Sequence, residues 1–114
     1  MKEIFIKSLY ETIVQEGKQD YKELLDNTNA EDANDKYWIK ALQLYDNITK
    51  EDREKLMAII ELIMIDTVSN VLGIIDGSST LNGCDAEIKL YLNDADTEGE
   101  LQDLFLEYVE ENEE

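Results

Sequence analysis

The sequence predicts an α+β fold, mainly α, with four to five helices around a long central helix (residues 49–76) and one β-hairpin (residues 78–92). Three observations lead there. The run from Thr49 to Gly77, TKEDREKLMAIIELIMIDTVSNVLGIIDG, sustains a helical pattern and holds most of the branched aliphatic residues. After Gly77 the pattern changes to alternation around Asn82-Gly83, a strong hairpin signal. Shorter stretches on both sides repeat apolar residues every three or four positions.

In the first of these stretches, residues 2–16, Ile4, Phe5, Leu9, Ile13 and Val14 fall at helical spacing, and Gly17 is the expected stop. Asp20 is placed to cap a short second helix holding Tyr21, Leu24 and Leu25, followed by a polar loop from Asn27 to Asp35. A third helix, Asp35 to Tyr45, presents Tyr37, Trp38, Ala41, Leu42 and Tyr45, whose rings suit core packing in a small domain. Asp46-Asn47 interrupts the pattern and Thr49 restarts it, with Glu51 and Asp52 in the first turn where the helix dipole favours negative charge.

On a helical wheel the central helix sets Leu56, Ile59, Ile60, Ile63, Thr67, Val71 and Ile74 along one side, yet Leu62, Ile65 and Leu72 lie elsewhere. A helix apolar nearly all round is either buried on several sides or part of an oligomer interface. Ser69 and Gly73 offer a shallow strip for close approach of another backbone. Asp66, Asn70 and Asp76 form a possible buried polar site, structural if it fixes the helix register and functional if it lines a pocket. Asp76-Gly77 also reads as the helix stop.

In the predicted hairpin, Ser78 to Leu81 is the weaker strand and Ala86 to Leu92 the stronger, with Ile88, Leu90 and Leu92 on one side and Glu87, Lys89 and Tyr91 on the other. Its apolar side is expected against the long helix, because a lone hairpin is marginal in water. Asn93 to Thr97 is a turn, and Thr97 with Glu100 reads as a capping box opening a last helix. Leu101, Leu104, Phe105, Tyr108 and Val109 form one face of that helix, and Asp103, Glu107, Glu110 and Glu111 the other. Asn112 to Glu114 is expected to fray.

A chain of 114 residues fits a single domain. Its 28 acids and 10 bases leave a net charge of −18, which disfavours nucleic acid and anionic membranes and favours a basic partner. The charge is segregated: residues 1–48 carry six bases and ten acids, residues 49–77 three and six, and residues 78–114 one and twelve, net −11. With no histidine, a Ser-His-Asp triad, a Cys-His pair and a histidine base are all excluded. Cys84 has no partner cysteine and lacks an electropositive setting, and the chain opens without a signal-peptide pattern, so a cytoplasmic protein is expected. The apolar run from Leu56 to Ile75 contains Glu61, Asp66 and Asn70, which argues for a core helix over a membrane span.

Asp94-Ala95-Asp96-Thr97-Glu98-Gly99 starts like a calcium loop, but the twelfth position is Phe105 where a bidentate glutamate is needed. No metal and no cofactor is therefore expected. The order of long apolar helix, IIDG at 74–77, EIKLYL at 87–92, LND at 92–94 and LQDLF at 101–105 resembles a family of small bacterial proteins of unknown function, over residues 38–106. The resemblance implies the architecture and carries no activity. The residues themselves point to a non-enzymatic acidic binding protein, an inhibitor or immunity-type partner for a basic nuclease, toxin or defence protein. Its contact residues would be Asp94, Asp96, Glu98, Glu100, Asp103, Glu107, Glu110 and Glu111. Two alternatives stand beside it: a small carboxylate-based enzyme or metal/ligand-binding protein, and a homodimeric scaffold with the long helix as its seam.

Overall fold

The amino-terminal part of the chain is one uninterrupted helical rod, where two separate helices are expected from the sequence. In the computed structural model, which describes residues 1–112, α1 (Lys2–Leu9) runs into a π-helical segment (Tyr10–Glu16) and on into α2 (Gly17–Asn27). Gly17 is no stop: its φ of −60° and ψ of −46° are helical. Glycine permits a left-handed stop without imposing one, and a Cβ at Gly17 would lie in ordinary contact with Met64 Cε, at 3.5 Å. Asp20 accordingly sits in the first turn of α2 without capping a new helix. The π segment keeps Ile6, Tyr10 and Val14, each four residues apart, on one buried face. An ordinary helix, at 3.6 residues per turn, would rotate such a series off the face, and the wider i→i+5 turn removes that drift.

After a 3₁₀ turn (Ala30–Asp32), α3 (Lys36–Asp46) starts where Asp35 Oδ1 accepts a hydrogen bond from Tyr37 N at 2.8 Å. The central helix α4 (Lys50–Asp76) has local signals at both ends. Thr49 Oγ1 accepts from Asp52 N at 3.1 Å, and Gly77 closes the helix in the left-handed region at φ +84°, with Ser78 N donating to Gly73 O at 3.0 Å. These are the cap types that the sequence announces.

Burial on α4 is one-sided. Met57, Ile65, Ser69, Leu72 and Gly73 are buried, while Ile59, Leu62, Ile63 and Val71 are between 51% and 57% exposed. Most of the side grouped on the helical wheel therefore faces solvent, because the small residues Ser69 and Gly73, not the branched ones, are what allow close packing. By length and composition alone this helix, with a mean hydropathy of 1.9 over its most apolar 18 residues, is long and apolar enough to cross a membrane.

Two apolar clusters share α4. The larger joins Ile6, Tyr10 and Val14 to Ile65, Leu72 and to Leu101, Phe105 and Val109 of the last helix, α5 (Leu101–Asn112). The smaller joins Leu25, Leu42, Tyr45 and Met57. The molecule is elongated, 49 × 36 × 22 Å. The fraying expected at residues 113–114 lies outside the described residues, and Asn112 is still helical.

The hairpin forms one step later in the chain than residues 78–92. Asn82-Gly83 does turn, with Gly83 at φ +78°, but it closes a single bridge between Leu81 and Cys84. The strands are β1 (Tyr91–Leu92) and β2 (Ala95–Asp96), antiparallel, with Tyr91 opposite Asp96 and Leu92 opposite Ala95. Asn93, at φ +56°, starts the turn, a conformation asparagine tolerates better than most residues. Ser78, Ser79 and Thr80 are exposed and bring no apolar side chain to bury, so a strand there would have nothing to pack on the helix.

Candidate functional site

The acidic face is held in place by contacts that begin at the end of α4. Asp76 caps α5 from outside it: its Oδ1 accepts from Leu101 N at 3.2 Å and its Oδ2 from Gln102 N at 2.7 Å. The expected Thr97/Glu100 capping box does not form. Thr97 is buried and gives both its N–H and its hydroxyl to Leu90 O, each at 3.0 Å, extending the hairpin by a step. Glu100 reaches instead to Lys2.

The strip made by Ser69 and Gly73 receives a side chain, not a backbone. Gln102 Nε2 donates to Ser69 O at 3.0 Å, Gln102 Oε1 accepts from Ser78 Oγ at 3.1 Å, and a Cβ on Gly73 would come within 2.8 Å of Gln102 Nε2. Asp66 and Asn70 are both exposed, so the expected buried trio of Asp66, Asn70 and Asp76 is divided. Asp76 alone is part-buried, and its work is structural.

All eight residues of the predicted acidic surface, Asp94, Asp96, Glu98, Glu100, Asp103, Glu107, Glu110 and Glu111, are exposed. Lys2 Nζ lies 2.7 Å from Glu100 and 3.9 Å from Glu98. The Glu100 hydrogen bond holds the Lys2 ammonium above its ordinary pKa. The other six form no ion pair among the described residues. The platform beneath them is firm, since Leu101 and Phe105 on the opposite face of α5 are 0% exposed.

Beside the hairpin an open groove of about 710 Å³ runs between the end of α4 and the chain from Ser79 to Leu90. Its apolar lining includes Ile74, Ile75, Leu81 and Ile88, and its charged lining Asp85, Glu87, Asp96 and Glu98 against Lys89. The calcium-like order of Asp94 to Gly99 is spent on backbone structure: Ala95-Asp96 is a strand, and Asp96 Oδ1 accepts from Glu98 N at 2.8 Å. Among the described residues no group of three or more Asp, Glu or Cys side chains is arranged to hold a metal ion.

A second polar cluster escapes sequence reading because three helices contribute to it. Tyr45 donates its hydroxyl to the Asp26 carboxylate, Lys22 Nζ donates to the other oxygen at 2.8 Å, and Arg53 lies 4.3 Å over the Tyr45 ring with its Nε 2.9 Å from Tyr45 O. The Lys22 hydrogen bond, followed by that from Tyr45, holds the Asp26 carboxyl below the ordinary carboxylate range. Burial, then the bond to Asp26, pushes the Tyr45 phenol up. Lys18, Lys22, Lys50 and Arg53 line the adjoining groove of about 520 Å³. The cluster ties α2, α3 and α4 together, and its bonded groups already serve one another.

The chain matches no protein-family model, no curated protein and no solved structure.

Proposed function

We propose that the protein is a non-catalytic acidic binding protein, an inhibitor or immunity-type partner that covers a basic surface of a nuclease, toxin or defence protein. The observation that carries this reading is the combination of exposure and anchoring. Among the described residues Asp94, Asp96, Asp103, Glu107, Glu110 and Glu111 are exposed and form no ion pair, while the helix bearing most of them is locked by Phe105, Leu101 and the Asp76 cap. A field of one sign raises association rates and selects partners of the opposite sign. A surface already ordered also loses less conformational freedom on binding.

The test is affinity capture from the native host with the full chain and with the Asp103→Lys/Glu107→Lys variant, at low and high salt. The reading expects a basic protein that is recovered by the parent, lost to the variant and released by salt, since exposed charges are screened within about 10 Å at 0.1 M ionic strength. Recovery of no basic partner, or binding indifferent to salt and to the variant, overturns it.

A further inference from the structure

The hairpin is a strand pair that stops early. β2 leaves it after Thr97, where Glu98 and Gly99 take φ of +58° and +68° and turn the chain toward α5. The segment leading into β1 does not turn with it, and from Asp85 to Leu90 it runs without turn or bend. Among the described residues, Asp85, Ala86, Glu87, Ile88 and Lys89 form no hydrogen bond, by backbone or side chain, and no ion pair. The open groove of about 710 Å³ is lined by this segment, by Asp96 to Gly99 and by the end of α4. A strand edge with free N–H and C=O groups is a template for an added strand, and natural edges are guarded by lysine, proline or a bulge. These five residues carry one lysine, two acids and no proline.

We infer that the groove takes an extended basic segment of a partner protein, about five residues long, which adds as a strand along Asp85 to Lys89. Its main chain pairs with the free backbone groups there. Its apolar side chains meet Ile74, Ile75, Leu81 and Ile88, and its lysines or arginines meet Asp85, Glu87 and Asp96. Charge selects this occupant. Besides Asp76, which caps α5, the groove is lined by Asp85, Glu87, Asp96 and Glu98 against Lys89, and of these acids Glu98 alone is ion-paired, with Lys2 at 3.9 Å. A second copy would bring the same acids to the same edge, so self-pairing sets like charges opposite one another and is disfavoured.

The inference deepens the proposed function by naming how a basic partner is gripped, and it rests on that reading for the partner's charge alone. Asp103, Glu107, Glu110 and Glu111 on α5 lie outside the groove.

The test is isothermal titration calorimetry of the full chain with an acetylated, amidated heptapeptide alternating lysine and valine. Saturable binding with a Kd between about 10 µM and about 1 mM is expected. Asp85→Lys/Glu87→Lys, at exposed side chains where the circular dichroism should match the parent, should weaken it at least about tenfold. Asp103→Lys/Glu107→Lys makes an equal change in net charge and should leave it within about threefold. Alternate N–H groups of a strand point to opposite edges, so N-methylating the lysines or the valines of the peptide separates main-chain pairing from charge alone. One of the two methylated peptides should lose binding about tenfold and the other stay within about threefold. No binding of the heptapeptide, indifference to Asp85→Lys/Glu87→Lys, an equal response to the two methylated peptides, or an equal loss in Asp103→Lys/Glu107→Lys overturns the inference. The proposed function fails separately, if the heptapeptide binds as expected and no basic protein is captured from the host.

Discussion

Replacing Asp76 by alanine strips α5 of its cap and tests whether the acidic helix is held from a distance. The structure allows the cost to be worked out. Two backbone N–H groups, of Leu101 and Gln102, lose a carboxylate acceptor at 3.2 and 2.7 Å, and loss of an N-terminal cap costs about 1 kcal/mol. Removing a negative charge from the positive end of the helix adds about 0.3 to 1 kcal/mol. The expected loss is therefore about 1.5 to 2 kcal/mol, or roughly 5 to 10 °C in melting temperature for a chain of this size. Asp76→Asn keeps an acceptor and loses only the charge, so about half the effect is expected. Glu100→Ala supplies the contrast: a capping box would make it as costly as losing Asp76, whereas its exposed pair with Lys2 makes it worth less than about 0.5 kcal/mol. Urea denaturation followed by far-ultraviolet circular dichroism measures all three. A loss below about 0.5 kcal/mol for Asp76→Ala, or an equal loss for Glu100→Ala, would refute the distant cap.

Other outcomes follow from the same packing. Phe105→Ala, at a side chain with 0% exposure in the larger cluster, should cost about 3 to 5 kcal/mol in the same denaturation assay. Gly99→Ala combines a φ of +68° with a Cβ placed 3.2 Å from Asp76 O, so its melting temperature should fall further than that of Gly83→Ala, where φ is +78° but nothing lies within 4 Å. Tyr45, with its pKa raised above 10.0, contributes stability that is complete below that ordinary value and lost as pH rises through the folded value. Stepped alkaline denaturation should therefore show one of the six tyrosines ionising late, and Tyr45→Phe should flatten the profile. Asp26 has the opposite sign: its depressed pKa contributes above the ordinary carboxylate range and is lost as pH falls through it.

How far the sequence reached depended on where each cause lay. The bounds of α4 were legible because Thr49 and Gly77 act on their own neighbours, and Asp35 did the same for α3. Gly17 does not end its helix, because a glycine allows a left-handed stop without requiring one and this one keeps helical angles. The cap of α5 escapes a local reading because its acceptor carboxylate lies twenty-five positions before Leu101, and a plausible local capping box stands closer. Of the buried side of α4 only the Ser69 and Gly73 strip was legible, since a helix apolar nearly all round gives no periodic contrast. The acidic residues needed only to be exposed, and Asp94 through Glu111 are. The Asp26, Tyr45 and Arg53 cluster had no signal in the sequence, because its members are brought together only when three helices pack.

The division of the interior into two clusters gives the molecule unequal local stabilities. The smaller cluster buries four residues and the larger eight, and the two have no buried residue in common. Fluctuations that open the α3 end therefore need not disturb Leu101, Phe105 and Val109. Amide protons of α3 are expected to exchange with solvent earlier than those of α5, through partial opening rather than global unfolding. An acidic face rooted in the slower-opening part keeps its shape while the far end of the molecule breathes.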